Sequence, residues 1–338
     1  VSTFTLNSSF DDIDDLTIET VVPASGGADI ESIQSIKEVA PKAYAAQGNS
    51  VNASDYEAII KEFFPEVKGV RVWGGDKQVP AVYGKVFVSM IPEEGYFISR
   101  ATKEAIESKL LETNVITITP EVVDPDIIFV DVNSTVRYNP NKTSLSPSGL
   151  ADVVTAKIQG YNDSTLESFS GVLYDSTVSS IVNDSDASII SNSRNYTIRK
   201  VNTFQTGFPV DITINFGNKI EVGSFYASEF QTDNTANCYF RDVNGVVNLY
   251  SNSTGSPKLI RSVGTVDYET GVVVIEQFRF DQIYEQQDFI DFFLGSRFLI
   301  SKANPVNPDV VPVINQVVFI NDIIVTVVCT QISLSILR

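Results

Sequence analysis

Residues 26–75, GGADIESIQSIKEVAPKAYAAQGNSVNASDYEAIIKEFFPEVKGVRVWGG, join an extended lead-in to a capped helix and a strand. Ser54-Asp55-Tyr56-Glu57 matches the S-x-x-E capping box, in which the serine hydroxyl and the glutamate carboxylate satisfy free backbone donors, and so predicts a helix starting at Ser54. Tyr56, Ile59, Ile60, Phe63 and Phe64 follow at helical spacing and form one broad apolar face, and Pro65 prevents further extension. Val67 to Trp73 then reads as a strand ending at Gly74-Gly75. No residue in this stretch is a nucleophile poised beside a base, so it reads as a building block and not as a reaction centre.

Downstream, Val86 to Ile91 is a second strand, reached through a loop holding Gly74, Gly75, Pro80 and Gly84. Thr102, Ile106 and Leu110 predict a helix from Ser99 to Leu111. From Ile128 onward, Val130, Val132, Val136 and Tyr138 share one strand face, with Asp131, Asn133, Thr135 and Arg137 on the other, a long strand with one wet side. Ser146-Pro147 is a cap followed by proline at the first helical position, and Leu150, Val154, Ile158 and Tyr161 line the helix that follows.

These elements predict an α+β fold, a compact helix-on-sheet domain followed by a mainly β C-terminal domain. The boundaries expected are 1–53 for an extended lead-in left from an upstream domain, 54–162 for the α+β domain, 163–207 for a connecting module and 208–338 for the β domain. Val178, Ile181 and Val182 predict one short helix in the connecting module. Val243-Asn244-Gly245 and Glu269-Thr270-Gly271 suit hairpin turns. Phe278 to Phe293, aromatic and acidic, is left unassigned. Val310 to Leu337 is strongly apolar, but Pro312, Asn315, Gln316, Asn321 and Asp322 interrupt it, and its Val/Ile content favours two strands turning at Asn321-Asp322 over a membrane helix. The chain starts Val1-Ser2-Thr3, and the alternation already present from Phe4 to Thr20 suggests that the numbering begins inside a larger parent.

Composition narrows the function. The formal net charge of −18 over 338 residues repels nucleic-acid phosphates and anionic lipid surfaces, so neither is an expected partner. The chain has no histidine, which removes the usual serine and cysteine triads and histidine-based zinc sites. Gly84-Lys85 lacks both the upstream glycine and the following Ser/Thr of a phosphate loop. Asp11-Asp12-Ile13-Asp14-Asp15, Asp124-Pro125-Asp126 and Asp184-Ser185-Asp186 lack the spacing of a dedicated calcium loop, and read as loop and cap chemistry. The N-x-S/T triplets at Asn133, Asn141, Asn183 and Asn252 follow from an Asn/Ser-rich composition. Cys238 and Cys329 lack ligand spacing and read as two buried free thiols. No catalytic residue, cofactor, metal or small-molecule substrate is expected.

What remains is surface. Phe63, Phe64 and Trp73 are candidates for subunit contacts or for core. So are Phe289, Phe292 and Phe293, and the apolar strands Val317 to Ile320 and Ile323 to Val328, with Val317, Phe319, Ile323, Val325 and Val327, whose edges could pair.

The string GGADIES at Gly26–Ser32, with Lys37, Ala40-Pro41, Ser54-Asp55-Tyr56 and Phe64-Pro65, resembles the J-like wedge proteins of contractile phage baseplates. Later segments resemble the T-even-like branch, in order. They are Tyr83-Gly84-Lys85-Val86, Pro120 to Pro125, Asn141-Lys142-Thr143, Phe169-Ser170-Gly171, Asn183 to Asp186 with Ser188-Ile189, and Val263 to Tyr268. Proteins of that branch are longer, and the chain resembles their C-terminal half. The resemblance implies a virion tail-baseplate subunit made and assembled in the host bacterial cytoplasm. Such subunits pair with themselves within and between wedges, and with other wedge subunits, to close an inner ring around the central hub. Two other classes compete. A receptor- or glycan-binding tail or surface protein is motivated by the Ser/Asn-rich β region. A histidine-free carboxylate-pair hydrolase is motivated by Asp124/Asp126 and Asp184/Asp186.

Overall fold

The computed structural model describes residues 33–64, 66–78, 80–93, 95–253, 255–284 and 299–329. The Gly26–Ser32 string, the alternation at 4–20, the Asp11–Asp15 cluster, Pro65, the phenylalanines at 289, 292 and 293, and the end of the apolar tail lie outside these residues.

The chain is α+β, with a mainly β C-terminal region. The first element among the described residues is α1 (Ile33–Ala46), in a segment expected to be an extended lead-in. Pro41 sits inside this helix. Helix α2 (Ala53–Phe63) follows, and its capping box lies two residues earlier than expected. Asn52 Oδ1 accepts from Ser54 N and Asp55 N, and Asp55 Oδ2 accepts from Asn52 N at 3.0 Å. Asn and Asp perform the reciprocal capping that Ser54 and Glu57 were expected to supply.

Strands β1 (Val67–Gly74) and β2 (Lys85–Pro92) pair antiparallel. Helix α3 (Arg100–Thr113) starts at the Ser99 cap and crosses over to β3 (Thr119–Val123), which lies parallel to β2 and has no counterpart in the sequence reading. Tyr56, Ile59 and Ile60 of α2 and Ile106 and Leu110 of α3 pack on Val88 and Met90 to form the core of this small unit.

Only Asp124-Pro125 separates β3 from β4 (Asp126–Tyr138), and β4 enters a second sheet, 12-stranded among the described residues. The chain therefore passes from one sheet to the other at 124–125. Helix α4 (Pro147–Tyr161) has the expected Ser146 cap, whose hydroxyl accepts from Gly149 N at 3.1 Å. Its Leu150, Val154 and Ile158 are fully buried, the last two in the larger core. A single π turn at Asn162–Leu166 follows, and then α5 (Asp175–Asn183).

β5 (Ile189–Asn202) lies in the supposed connecting module but is a central strand between β4 and β14 (Leu299–Ala303). Polar cross-strand pairs such as Asn133 with Asn195 and Thr135 with Ser193 give it a wet face, which disguises it in sequence. Between β5 and β14 the chain builds an antiparallel excursion. It comprises β6 (Pro209–Asn215), β7 (Tyr226–Ala227), β8 (Phe230–Thr232), β9 (Thr235–Val243), β10 (Val246–Ser251), β11 (Lys258–Asp267), β12 (Val272–Arg279) and β13 (Gln282–Ile283). The expected hairpin turn joins β9 to β10, with Asn244 and Gly245 both at positive φ (52° and 85°), as a two-residue I′ loop demands. Phe230, Phe240, Phe278 and Phe280 meet mostly edge to face in the larger core.

The chain returns through β14 and ends its described part in β15 (Gln316–Cys329), parallel to β4. The expected turn at Asn321-Asp322 is a β-bulge. Ile320 opposes Val130 and Asp322 opposes Asp131, leaving Asn321 as the extra residue. One inserted residue reverses which side chains face inward, and in sequence that phase change reads as a turn between two strands. The wet side expected along β4 is wet only in its distal part: Asn133 and Arg137 are exposed, whereas Phe129 and Asp131 are covered. A third, smaller cluster covers Phe129, and in it Ile91 and Tyr96 from the small unit meet Phe129, Val317 and Phe319.

Candidate functional site

Among the described residues, the candidate contact residues fall in three separate places. At the end of α2, Phe63 is 50% exposed with Lys109 Nζ 4.4 Å from its ring centroid, while Phe64 packs half-buried on the small core. Trp73 is 5% exposed, stacked on Phe87, and donates from Nε1 to Gln78 Oε1 at 3.3 Å, so it is a core residue. On β15, Val317 and Phe319 are buried, and Ile323 and Val325 are half-buried against the large core, with Val327 half-buried beyond them.

Sequence reasoning named Phe63 and the Ile323–Val328 strand, but it did not single out the outward-facing residues of that strand or the exposed apolar residues at the end of the small unit. Past the bulge, Ile324 and Val328 point outward on β15, at 53% and 40% exposure. β15 is also the first strand in its sheet, and among the described residues it pairs with β4 alone. At one end of the small unit, Tyr83, Leu111, Val115 and Ile116 are exposed, Ile116 completely. Thr119 N donates to Gly84 O and Ser50 N to Thr113 O, each at 2.9 Å, drawing these loops to the same end. Val115-Ile116, apolar in a loop between a helix and a strand, was the available signal.

The acidic pairs are engaged in the fold. Asp124 pairs with Lys103 at 2.6 Å, and Asp126 accepts from Lys200 Nζ and from Gln316 Nε2. Asp184 Oδ2 accepts from Ser180 Oγ at 3.2 Å, and Asp186 Oδ1 from Ser188 N at 2.8 Å, the Ser188 bonds holding the Asp186 carboxyl below its ordinary range. Burial raises Asp131, opposed by its hydrogen bond from Asn321 and by Arg199 beside it. Burial likewise pushes Lys200 down, against the pull of Asp126. Each carboxylate serves as a counter-ion or a cap. Among the described residues no group of three or more His, Cys, Asp or Glu side chains is arranged to hold a metal. No described helix is long and apolar enough to cross a membrane. Cys238 is a buried free thiol, as expected, but Cys329 is exposed near the end of β15.

Comparison with known proteins adds the context. Residues 52–123 match the family model "Baseplate structural protein gp6, C-terminal domain I", and residues 126–208 match "Baseplate structural protein gp6, C-terminal domain III". The junction between the two matches is the Asp124-Pro125 link between the sheets. A curated relative, "Baseplate wedge protein gp6" of Enterobacteria phage T4, is 28% identical over 210 residues, covering 62% of this chain and 31% of that protein. The match thus spans under a third of the relative's length. Among solved structures, a chain of the anti-feeding prophage (AFP) baseplate is similar at 16% identity and a TM-score of 0.36, over 51% of this chain and 39% of that one. Over residues 52–208, then, the chain is similar to two domains of a baseplate structural protein.

Proposed function

We propose that the chain is a structural subunit of a contractile phage tail baseplate wedge, whose work is assembly and not turnover. The observation that carries this reading is the pair of adjacent matches, in order, to two domains of one baseplate structural protein. In finer terms, the chain is a J-like inner-ring component. It associates with copies of itself within and between wedges, with the other wedge subunits and with the central hub, in the virion tail baseplate.

Two features support self-association. Ring closure requires repeated complementary surfaces on each subunit. β15 offers an edge of 14 residues containing one charged side chain, Asp322, and the small unit offers the apolar end around Tyr83 and Ile116. Because the chain carries a net charge of −18, copies repel one another over most of their surface, and these weakly charged regions are where they can meet. Screening the repulsion strengthens association. Sedimentation velocity at low and at high salt tests this. Multimers that increase with salt are expected, whereas a strict monomer at high concentration in both buffers overturns the self-association.

A further inference from the structure

We infer that Asn244-Gly245 is a self-modifying site, held unreactive in the folded chain by the Tyr268 hydroxyl. Asn-Gly occurs once in the sequence, and it sits at the exposed tip of the β9–β10 hairpin. Its chemistry is intrinsic and consumes only water. The Gly245 backbone nitrogen, on losing its proton, attacks the side-chain carbonyl carbon Cγ of Asn244. The new N–C bond closes a five-membered imide ring, and the side-chain nitrogen leaves as ammonia. Water then opens the ring at one of its two carbonyls. Cleavage at the former side-chain carbonyl gives aspartate, and cleavage at the backbone carbonyl gives isoaspartate. Glycine favours the attack because no side chain shields its nitrogen.

The fold closes that route at the nitrogen. Gly245 N donates to the Tyr268 hydroxyl at 2.7 Å, and the hydroxyl donates in turn to Asp242 Oδ2. Asp242 is 1% exposed, and its oxygens also accept from Gly223 N at 2.8 Å and Phe225 N at 2.9 Å. A carboxylate surrounded by donors has no proton to give, so the one phenolic hydrogen points at Asp242 and only lone pairs face Gly245. Burial and the Asp242 carboxylate push the Tyr268 phenol up, so it keeps its proton and is a poor base toward the Gly245 N–H. The Gly245 carbonyl accepts from Val266 N at 2.9 Å, which ties both backbone groups of Gly245 to the end of β11 and the residue after it. Ring closure needs the nitrogen turned onto Cγ and stripped of its hydrogen. Both steps require the bond to Tyr268 to open.

What the hydroxyl protects is the register of the hairpin. Val243 pairs with Val246 across the turn, and further in Phe240 pairs with Leu249, both fully buried in the larger core. Isoaspartate lengthens the backbone by one methylene inside a two-residue turn whose geometry fixes that pairing. Either product also adds a negative charge to a chain already at −18. Modification at the tip would therefore act on the aromatic core through β9 and β10.

The test removes the hydroxyl alone. The full chain and its Tyr268→Phe variant are held folded at mildly alkaline pH, and the amide-to-acid conversion at Asn244 is followed by peptide mass spectrometry. Tyr268→Phe is expected to convert about tenfold faster, the factor carried by one hydrogen bond of about 1.4 kcal/mol. In urea the two chains should convert at one common rate, faster than the folded parent. Two controls separate guarding from general loosening. Hydrogen exchange along the β9–β10 ladder stays unchanged in the variant, and Asn252-Ser253, exposed beyond the far end of β10, converts at the parent's rate. Equal folded rates for parent and variant overturn the proposal, as does a folded parent that converts as fast as in urea, or a parallel rise in either control. If Tyr268→Phe loses its fold, exchange of the Gly245 amide in the parent decides. Protection of that amide supports the guard, and exchange as fast as in an unstructured peptide overturns it.

Discussion

Truncating Phe87 to alanine is a sharp test of whether the Trp73 region is core or contact surface. Phe87 lies opposite Trp73 across β1 and β2, 5% exposed, with the rings stacked at 5.9 Å and 20°. Ring stacking accounts for about 0.5–1.5 kcal/mol. Loss of a buried Phe side chain, cavity included, costs about 3–5 kcal/mol, so burial dominates and the Ala variant should lose that larger amount. Trp73 is the only tryptophan, so its emission during urea unfolding reports on the small unit selectively. With a urea slope of about 1–3 kcal/mol per M, the midpoint should fall by at least about 1 M. Phe63→Ala is the control. Half-exposed and held mainly by the Lys109 cation, that ring should contribute about 0.5–1 kcal/mol. Equal, small shifts for the two variants would refute the assignment of Trp73 and Phe87 to the core.

Other outcomes follow from the same physics. Asn52→Ala should cost about 1 kcal/mol by removing the α2 cap, whereas Ser54→Ala should stay within about 0.5 kcal/mol, as measured by denaturant midpoints. Asp175 is held below its ordinary pKa chiefly by hydrogen bonds from Arg194. Its contribution is complete above the unfolded carboxylate pKa of about 3.9 and is lost as the pH falls through the lower folded value; Asp175→Asn should remove that acid dependence from thermal unfolding curves. Thiol titration should find Cys329 reacting at once in the folded chain and Cys238, buried with its thiol pushed up, reacting only after unfolding. Fast reaction of both would contradict the packing around β9.

The sequence was most legible where one local rule acted alone. Ser146-Pro147 with Leu150, Val154 and Ile158 produced α4, Ser99 capped α3, and Asn244-Gly245 made its hairpin. It misled where tertiary context set the pattern. α1 is a helix in a segment expected to be extended, and β5 hides a central strand behind Asn and Ser because its sheet has a wet face. That β4 leaves the first sheet was not legible, because it looks continuous with the elements before it, although its partners β5 and β15 come from much later in the chain. Contact candidates were chosen for size and apolarity, the properties that also drive burial, so Trp73, Val317 and Phe319 went to the core. Which residues of the Ile323–Val328 strand face outward, Ile324 and Val328, becomes visible only once the strand phase is known.

The central claim, that this chain is a structural part of a phage tail baseplate, is tested most directly by immunogold electron microscopy of purified virions with antibodies raised against the chain. The account predicts gold confined to the baseplate end of the tail. Label on the capsid or the fibres, or intact virions with no label whose disassembled tails also lack the chain, would contradict it.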